Sequence, residues 1–122
     1  MPAEGSHSNV PKAIRLNPNA SAITFVSLGH ALRNAGRFEE AVSAYTNGIQ
    51  RAPDFIIAHI GLGTTYSLMG REKDARAEAE EILRINPKFS LDYFAKRSAP
   101  YKDQSEIDKV VDAMRKAGLK WG

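Results

Sequence analysis

The sequence predicts an all-α fold, a solenoid of helical hairpins closed by a C-terminal capping helix. Three observations carry this. The chain repeats itself at a period of 34 residues. Each unit is split by a glycine and carries a proline two residues before its end. Beyond the second unit comes an amphipathic stripe that does not follow the repeat.

At 122 residues there is room for one compact domain, which at this size hides roughly two thirds of the surface its unfolded form exposes. Hydrophobic residues at 43% and charged residues at 25% suit a soluble globular domain, so composition gives no sign of disorder. No apolar run approaches the ~20 residues of a membrane helix, and Met1 to Val10 lack the basic start and apolar centre of a secretory signal. The expectation is a cytoplasmic protein without membrane insertion.

Aligning the chain with itself pairs Ala22–Phe55 with Ile56–Phe89. Eight positions match: Ile23/Ile57, Leu28/Leu62, Gly29/Gly63, Gly36/Gly70, Arg37/Arg71, Ala41/Ala75, Pro53/Pro87 and Phe55/Phe89. Many are small residues, glycines or prolines, the types that backbone geometry and close packing demand. In each unit apolar positions recur at three and four residues on both sides of the glycine. Gly36 and Gly70 stand where a left-handed residue can end a first helix, and Pro53 and Pro87 fall just past a second. Each unit is therefore expected to be a helical hairpin. In the second, the pairs Glu72/Arg76, Arg76/Glu80 and Glu80/Arg84 read as a solvated face.

Before the repeats, residues 10–18 resemble the last turns of a preceding unit's second helix. Residues 1–9 read as a tail that is disordered or of vector origin, since Gly5-Ser6-His7 resembles a cloning scar. After them, residues 90–122 begin as a third unit with Tyr93 in its aromatic slot, but Lys96-Arg97 stand where Leu-Gly is required and Pro100 stops the helix. A new helix then starts, with Asp103 as N-cap and Glu106 three residues on, resembling a capping box. Ile107, Val110, Val111 and Met114 form its apolar stripe, which ends before Gly118. This helix is expected to lie on the second hairpin.

The repeat resembles the tetratricopeptide repeat. Unit one reads Phe25, Leu28-Gly29, Leu32, Ala41, Tyr45, Pro53; unit two reads His59, Leu62-Gly63, Tyr66, Ala75, Ala79, Pro87. The departures are Leu32, His59 and Ala79, where bulky aromatics are usual. The resemblance implies a right-handed superhelix whose first helices line a concave groove that binds a protein or peptide partner. On that basis the groove comprises Ile23, Val26, His30, Arg33 and Asn34 of unit one, and Ile57, Ile60, Thr64, Ser67 and Leu68 of unit two. Its mixed chemistry favours an amphipathic segment over a highly charged tail. The carboxylate clamp of chaperone-binding relatives needs Lys and Asn where Val26 and His30 stand, so no such clamp is expected. His59, in the place of a Trp, is read as an interhelical packing residue. The stretches Phe89-Ser90-Leu91, Pro100–Asp103 and Met114–Leu119 resemble the ends of bacterial proteins in which such arrays follow a cyclase or winged-helix domain. That resemblance implies the C-terminal part of a larger regulatory or scaffold protein.

Other functions are weighed against this one. With no cysteine and three separated histidines, thiolate chemistry is excluded and no metal spacing exists. There is no phosphate loop and no Gly-x-Ser-x-Gly, so no enzyme, cofactor or metal is expected. The net charge of +3 is concentrated at the two ends, and Tyr101 and Trp121 near Lys102, Lys116 and Lys120 could stack bases. Interleaved acids argue against nucleic acid. Self-association is the alternative to partner binding, through a bare Ile23–Leu32 face left by an incomplete array.

Overall fold

A computed structural model of the chain describes residues 18–100 and 102–122, with side chains from Ala22 onward. The expected tail over residues 1–9, most of the preceding-repeat segment 10–18, and Tyr101 lie outside the described residues. Six helices are described: α1 (Pro18–Asn34), α2 (Phe38–Arg51), α3 (Ile56–Leu68), α4 (Glu72–Ile85), α5 (Leu91–Ser98) and α6 (Gln104–Lys116). No strand occurs among the described residues. α1/α2 and α3/α4 are antiparallel hairpins, and none of the described helices is long and apolar enough to cross a membrane.

The two hairpins turn identically because the same two residues stand at each turn. Gly36 and Gly70 both have φ of 79°, a conformation that any Cβ would strain. Each lets the following arginine N–H reach back to a first-helix carbonyl, Arg37 to Leu32 and Arg71 to Tyr66, both at 2.9 Å. These bonds satisfy carbonyls that the helix end leaves open. α6 ends the same way, with Gly118 at φ 117° and the Leu119 N–H on the Met114 carbonyl at 3.0 Å.

Two apolar clusters stack along the molecule. The first joins Val26 of α1, Ala41 and Tyr45 of α2, and Ala58 and Leu62 of α3. The second joins Ile60 of α3, Ala75, Ala79 and Ile82 of α4, Leu91 of α5, and Val110 and Met114 of α6, with Ala117 and Leu119 beyond it. Tyr66 packs against both. The two clusters thus meet at Tyr66, and α3 contributes buried residues to both.

The small residues of the repeat make room for specific large ones. A Cβ at Gly29 would come within 2.7 Å of the Tyr45 ring, so helices α1 and α2 approach across a bare backbone. In unit two Ala79 stands where unit one has Tyr45, and the space over Gly63 is taken by Met114 from α6, whose methyl would lie 3.0 Å from a Cβ there. Met114 is fully buried. Ala79 therefore leaves no hole, because the terminal helix supplies the missing bulk.

α6 packs chiefly along α3. Glu106 and Val110 near its start lie with Ile60 and Gly61, while Lys116 and Ala117 at its end lie with Ser67, so the two helices run the same way. Asp103 caps α6 by accepting the Glu106 N–H at 3.0 Å. The Glu106 carboxylate does not complete a reciprocal capping box; it pairs with Arg33 of α1 instead. Ser90 caps α5 through the Tyr93 N–H. Two further N–H groups of that first turn, Leu91 and Asp92, bond to the carbonyls of Lys120 and Trp121 at 3.1 and 2.8 Å. The C-terminal segment thereby closes an otherwise open helix end.

On the solvent side, Arg84 departs from the expected pairing with Glu80. It bonds Glu81 and reaches across to Asp54 in the α2–α3 loop, both at 3.0 Å. These exposed pairs contribute little to stability.

Candidate interaction cleft

The ten residues expected to line a groove are divided by the structure into distinct environments. Val26, Ile60 and Thr64 are buried in the core, and Arg33 is buried within an ion pair. Their side chains offer little open surface. His30 and Ser67 are half-buried; Ile23, Asn34, Ile57 and Leu68 are exposed. Val26 is covered by its packing against α2 and α3, and Ile60 and Arg33 by α6. By lying along α3, α6 covers much of the inner face that an open array would present, and only the N-terminal part of that face stays accessible.

That accessible part forms a cleft of about 350 Å³. α3 contributes Ile56, Ile57 and Ile60, and the α4–α5 loop contributes Phe89. α5 supplies the opposite wall with Tyr93, Phe94 and Arg97, and Lys102 stands at the end. Tyr93 does not fill the core slot foreseen for it: it is 60% exposed. Phe94 turns inward instead and meets Phe89 at 6.3 Å between ring centroids. The Arg97 guanidinium lies 5.6 Å from the Tyr93 ring centroid and donates to its hydroxyl at 3.1 Å. None of Tyr93, Phe94 or Arg97 was visible as a groove residue, since α5 departs from the repeat pattern that identified the others.

The cleft continues into a smaller hollow bounded by His30, Arg33 and Glu106. Here a buried polar chain links three helices. Arg33 donates through Nη2 to Glu106 and through Nη1 to the Tyr45 hydroxyl at 3.2 Å. That hydroxyl in turn bonds His30 Nδ1 at 2.5 Å. Since the guanidinium can only donate, the phenol proton is directed to His30, which accepts it as a neutral ring. Burial, with Arg33 and Lys102 nearby, pushes the His30 pKa down to about 4, and burial raises that of Tyr45. Both groups are thus uncharged near neutrality, and Arg33 with Glu106 carries the only charges of the chain.

His59 has the interhelical role expected of it. It is buried, with Nε2 on the Pro53 carbonyl and Nδ1 on the Glu78 carboxylate, both at 2.7 Å. Burial opposes a charge on this ring, but the bonds to Glu78 and Pro53 outweigh it and hold the pKa above 6.5. The two histidines therefore act with opposite sign on stability. His30, with its folded pKa depressed, contributes stability that is present above pH 6.5 and lost as the pH falls towards 4. His59, with its folded pKa raised, contributes stability that is full below 6.5 and lost as the pH rises through its folded value. Urea titrations at stepwise pH should show the acid-side loss reduced in H30Q and the alkaline-side loss reduced in E78Q. Unchanged pH profiles in both variants would refute the assignments.

Comparison with known proteins places these features in context. A model of the tetratricopeptide repeat matches residues 32–98. The chain is 32% identical over 74 residues to protein O-mannosyl-transferase TMTC3 of Mus musculus, covering 61% of this chain and 8% of that protein. It is 42% identical over 45 residues to a Rhizobium meliloti protein provisionally named adenylate cyclase 3, covering 37% and 8%. Against the peroxisomal targeting signal receptor of Saccharomyces cerevisiae it is 32% identical over 74 residues, covering 61% and 12%. In each case the match spans a small part of a much longer protein.

Proposed function

Because the chain belongs to the tetratricopeptide repeat family, whose members mediate protein–protein interaction, we propose that it is a non-catalytic module that takes a partner peptide in the cleft between α3 and α5. The observation that carries this reading is the exposure of apolar side chains around a concavity. Ile57 is 38% exposed and Tyr93 60% exposed, and the two line the same cleft as the half-buried Ile56, Phe89 and Phe94. Such a surface is a binding feature rather than a folding one. The match to a small part of long relatives, one of them a bacterial protein with a cyclase name, supports a module of a larger regulatory or scaffold protein. The exposed Ile23, Asn34 and Leu68 would extend the contact surface beyond the cleft.

The test is selection of random twelve-residue peptides displayed on phage against the immobilised chain. Peptides should be enriched that bind at micromolar levels and that lose at least about tenfold in affinity, about 1.4 kcal/mol, on Ile57→Asp. No enrichment, or binders indifferent to Ile57→Asp in a variant whose helical circular dichroism is unchanged, would refute the reading. Self-association through Ile23 has its own check, because Ile23→Asp should then turn a dimer into a monomer in light scattering.

A further inference from the structure

The charge around the cleft narrows the choice of partner. Among the residues that line the cleft and its inner hollow, Glu106 is the sole acid, and it is already engaged by Arg33. Arg97 lines the α5 wall and Lys102 lines both the cleft and the hollow, and among the described residues neither has an acidic side chain within salt-bridge distance. Lys102 is close enough to contribute to the lowered His30 pKa, so its field reaches into the hollow. Arg97 is held against Tyr93 by one donated bond, which orients its planar fork and leaves its other N–H groups available. Much of the remaining lining is different in kind: Ile56, Ile57, Phe89 and Phe94 are aliphatic and aromatic carbon.

From this arrangement, and resting on the functional reading above, we propose that the cleft recognises a short peptide segment in which one or two apolar side chains are followed within about a turn by a carboxylate. The apolar side chains enter between Ile57 and Phe94, and the carboxylate is held by Arg97 and Lys102. Three features set the class. The volume of about 350 Å³ admits a pair of side chains and is near the lower end for ligand pockets. The occupied inner face of α3 leaves no run for a long helix, because α6 lies along it. The cations stand beside apolar lining residues, which suits an amphipathic segment rather than a uniformly acidic tail. Nucleic acid fits less well. Tyr93 already carries the Arg97 guanidinium near its ring, and the other cleft aromatics, Phe89 and Phe94, are partly buried against the core.

These cations are not repeat-encoded. Arg97 belongs to α5 and Lys102 to the α5–α6 connection, so the specificity comes from the segment that departs from the repeat. Arg97 aligns with Gly63 and Gly29, positions at which a repeat helix needs no side chain at all.

The test uses the same displayed peptides, selected in parallel on the whole chain and on R97E/K102E. On the unaltered chain, the enriched peptides should combine Leu, Ile, Phe or Met with Asp or Glu within four positions. Their binding should weaken by about tenfold or more in R97E/K102E, and several-fold as salt is raised from low to physiological ionic strength. The charge-reversed variant should instead enrich Lys and Arg beside the same apolar residues. The single variant K102E, which leaves the Arg97–Tyr93 contact in place, should show an intermediate loss and guards against misfolding of the double. Binders that are sensitive to Ile57→Asp yet carry no acidic preference would overturn this inference while sparing the functional reading. Absence of any binder would overturn both. Displacement of a selected peptide by a single-stranded oligothymidylate, or a dimer abolished by R97E/K102E, would overturn the inference in favour of nucleic acid or a second copy of the chain.

Discussion

Replacing Glu106 by alanine is expected to lower the unfolding free energy by about 3 kcal/mol, the lower end of the range for removing one partner of a buried ion pair. The Arg33 side chain is 1% exposed, against 17% for Glu106, so the guanidinium depends on its partner more than the carboxylate does. Its remaining bond is the one to the Tyr45 hydroxyl at 3.2 Å, and its Nε has no partner even in the native state. Alanine would leave a buried cation with little to balance it. Part of the loss would also come from the helix, since Glu106 lies in the first turn of α6 where a negative charge is favourable by about 0.3–1 kcal/mol. Asp103→Ala calibrates that local share, because losing this cap alone typically costs about 1 kcal/mol. The double variant R33M/E106L should recover most of the loss, as an apolar pair of similar volume needs no desolvated charge. Urea denaturation followed by circular dichroism measures all four proteins. An E106A variant within about 0.5 kcal/mol of the unaltered chain, the usual range for surface changes, would show that the pair does not hold α6 to α1.

This ion pair also shows where reading the sequence reaches its limit. Helices α1 to α4 were legible because each signal is local: apolar residues at three and four, a glycine whose φ must be positive, a proline beyond the end. α6 was legible for the same reason, from Asp103 to the residue before Gly118. Its landing place was not. Glu106 and Arg33 are 73 residues apart, and each had an adequate local explanation, as a capping-box acid and as a groove residue.

Ala79 was recognised as a departure from the repeat, but nothing in unit two announces that Met114 will fill the space. The same long-range event changed the candidate site. Val26, Ile60 and Thr64 have the spacing of an inner face, and spacing alone cannot say that a later helix or a neighbouring core will bury them. Tyr93 and Phe94 are adjacent, so a shift of one position in α5 exchanged which ring faces the core and which faces solvent. Where the chain keeps the repeat, inheritance of position is a good guide; at α5 it is not.

Gly61 offers the sharpest case of a local rule opposed by packing, and Gly61→Ala is the second change expected to have a large effect. Helix propensity alone favours it, since alanine in a helix interior is better than glycine by about 1 kcal/mol. The neighbour of that Cβ argues the other way. It would overlap Cε1 of Tyr45 and lie within 2.8 Å of its hydroxyl oxygen. The ring has no room to retreat, because Gly29 of α1 bounds it closely and its hydroxyl is tied to both His30 and Arg33. Tyr45 is itself fully buried. Overpacking of this kind costs about 1–3 kcal/mol or more, and here the rigid ring and backbone place it at the upper end. The net expectation is a destabilisation of about 2 kcal/mol after the propensity gain is subtracted. Gly63→Ala provides the contrast, since its nearest neighbour is the terminal methyl of Met114, which can swing aside. A double-mutant cycle with Tyr45→Leu separates the causes: removing the ring should make Gly61→Ala less harmful by at least about 1 kcal/mol, within the range for residues in contact. If Gly61→Ala instead stabilises the chain, propensity governs this position, and the close passage of α3 over Tyr45 is not the constraint that joins the two units.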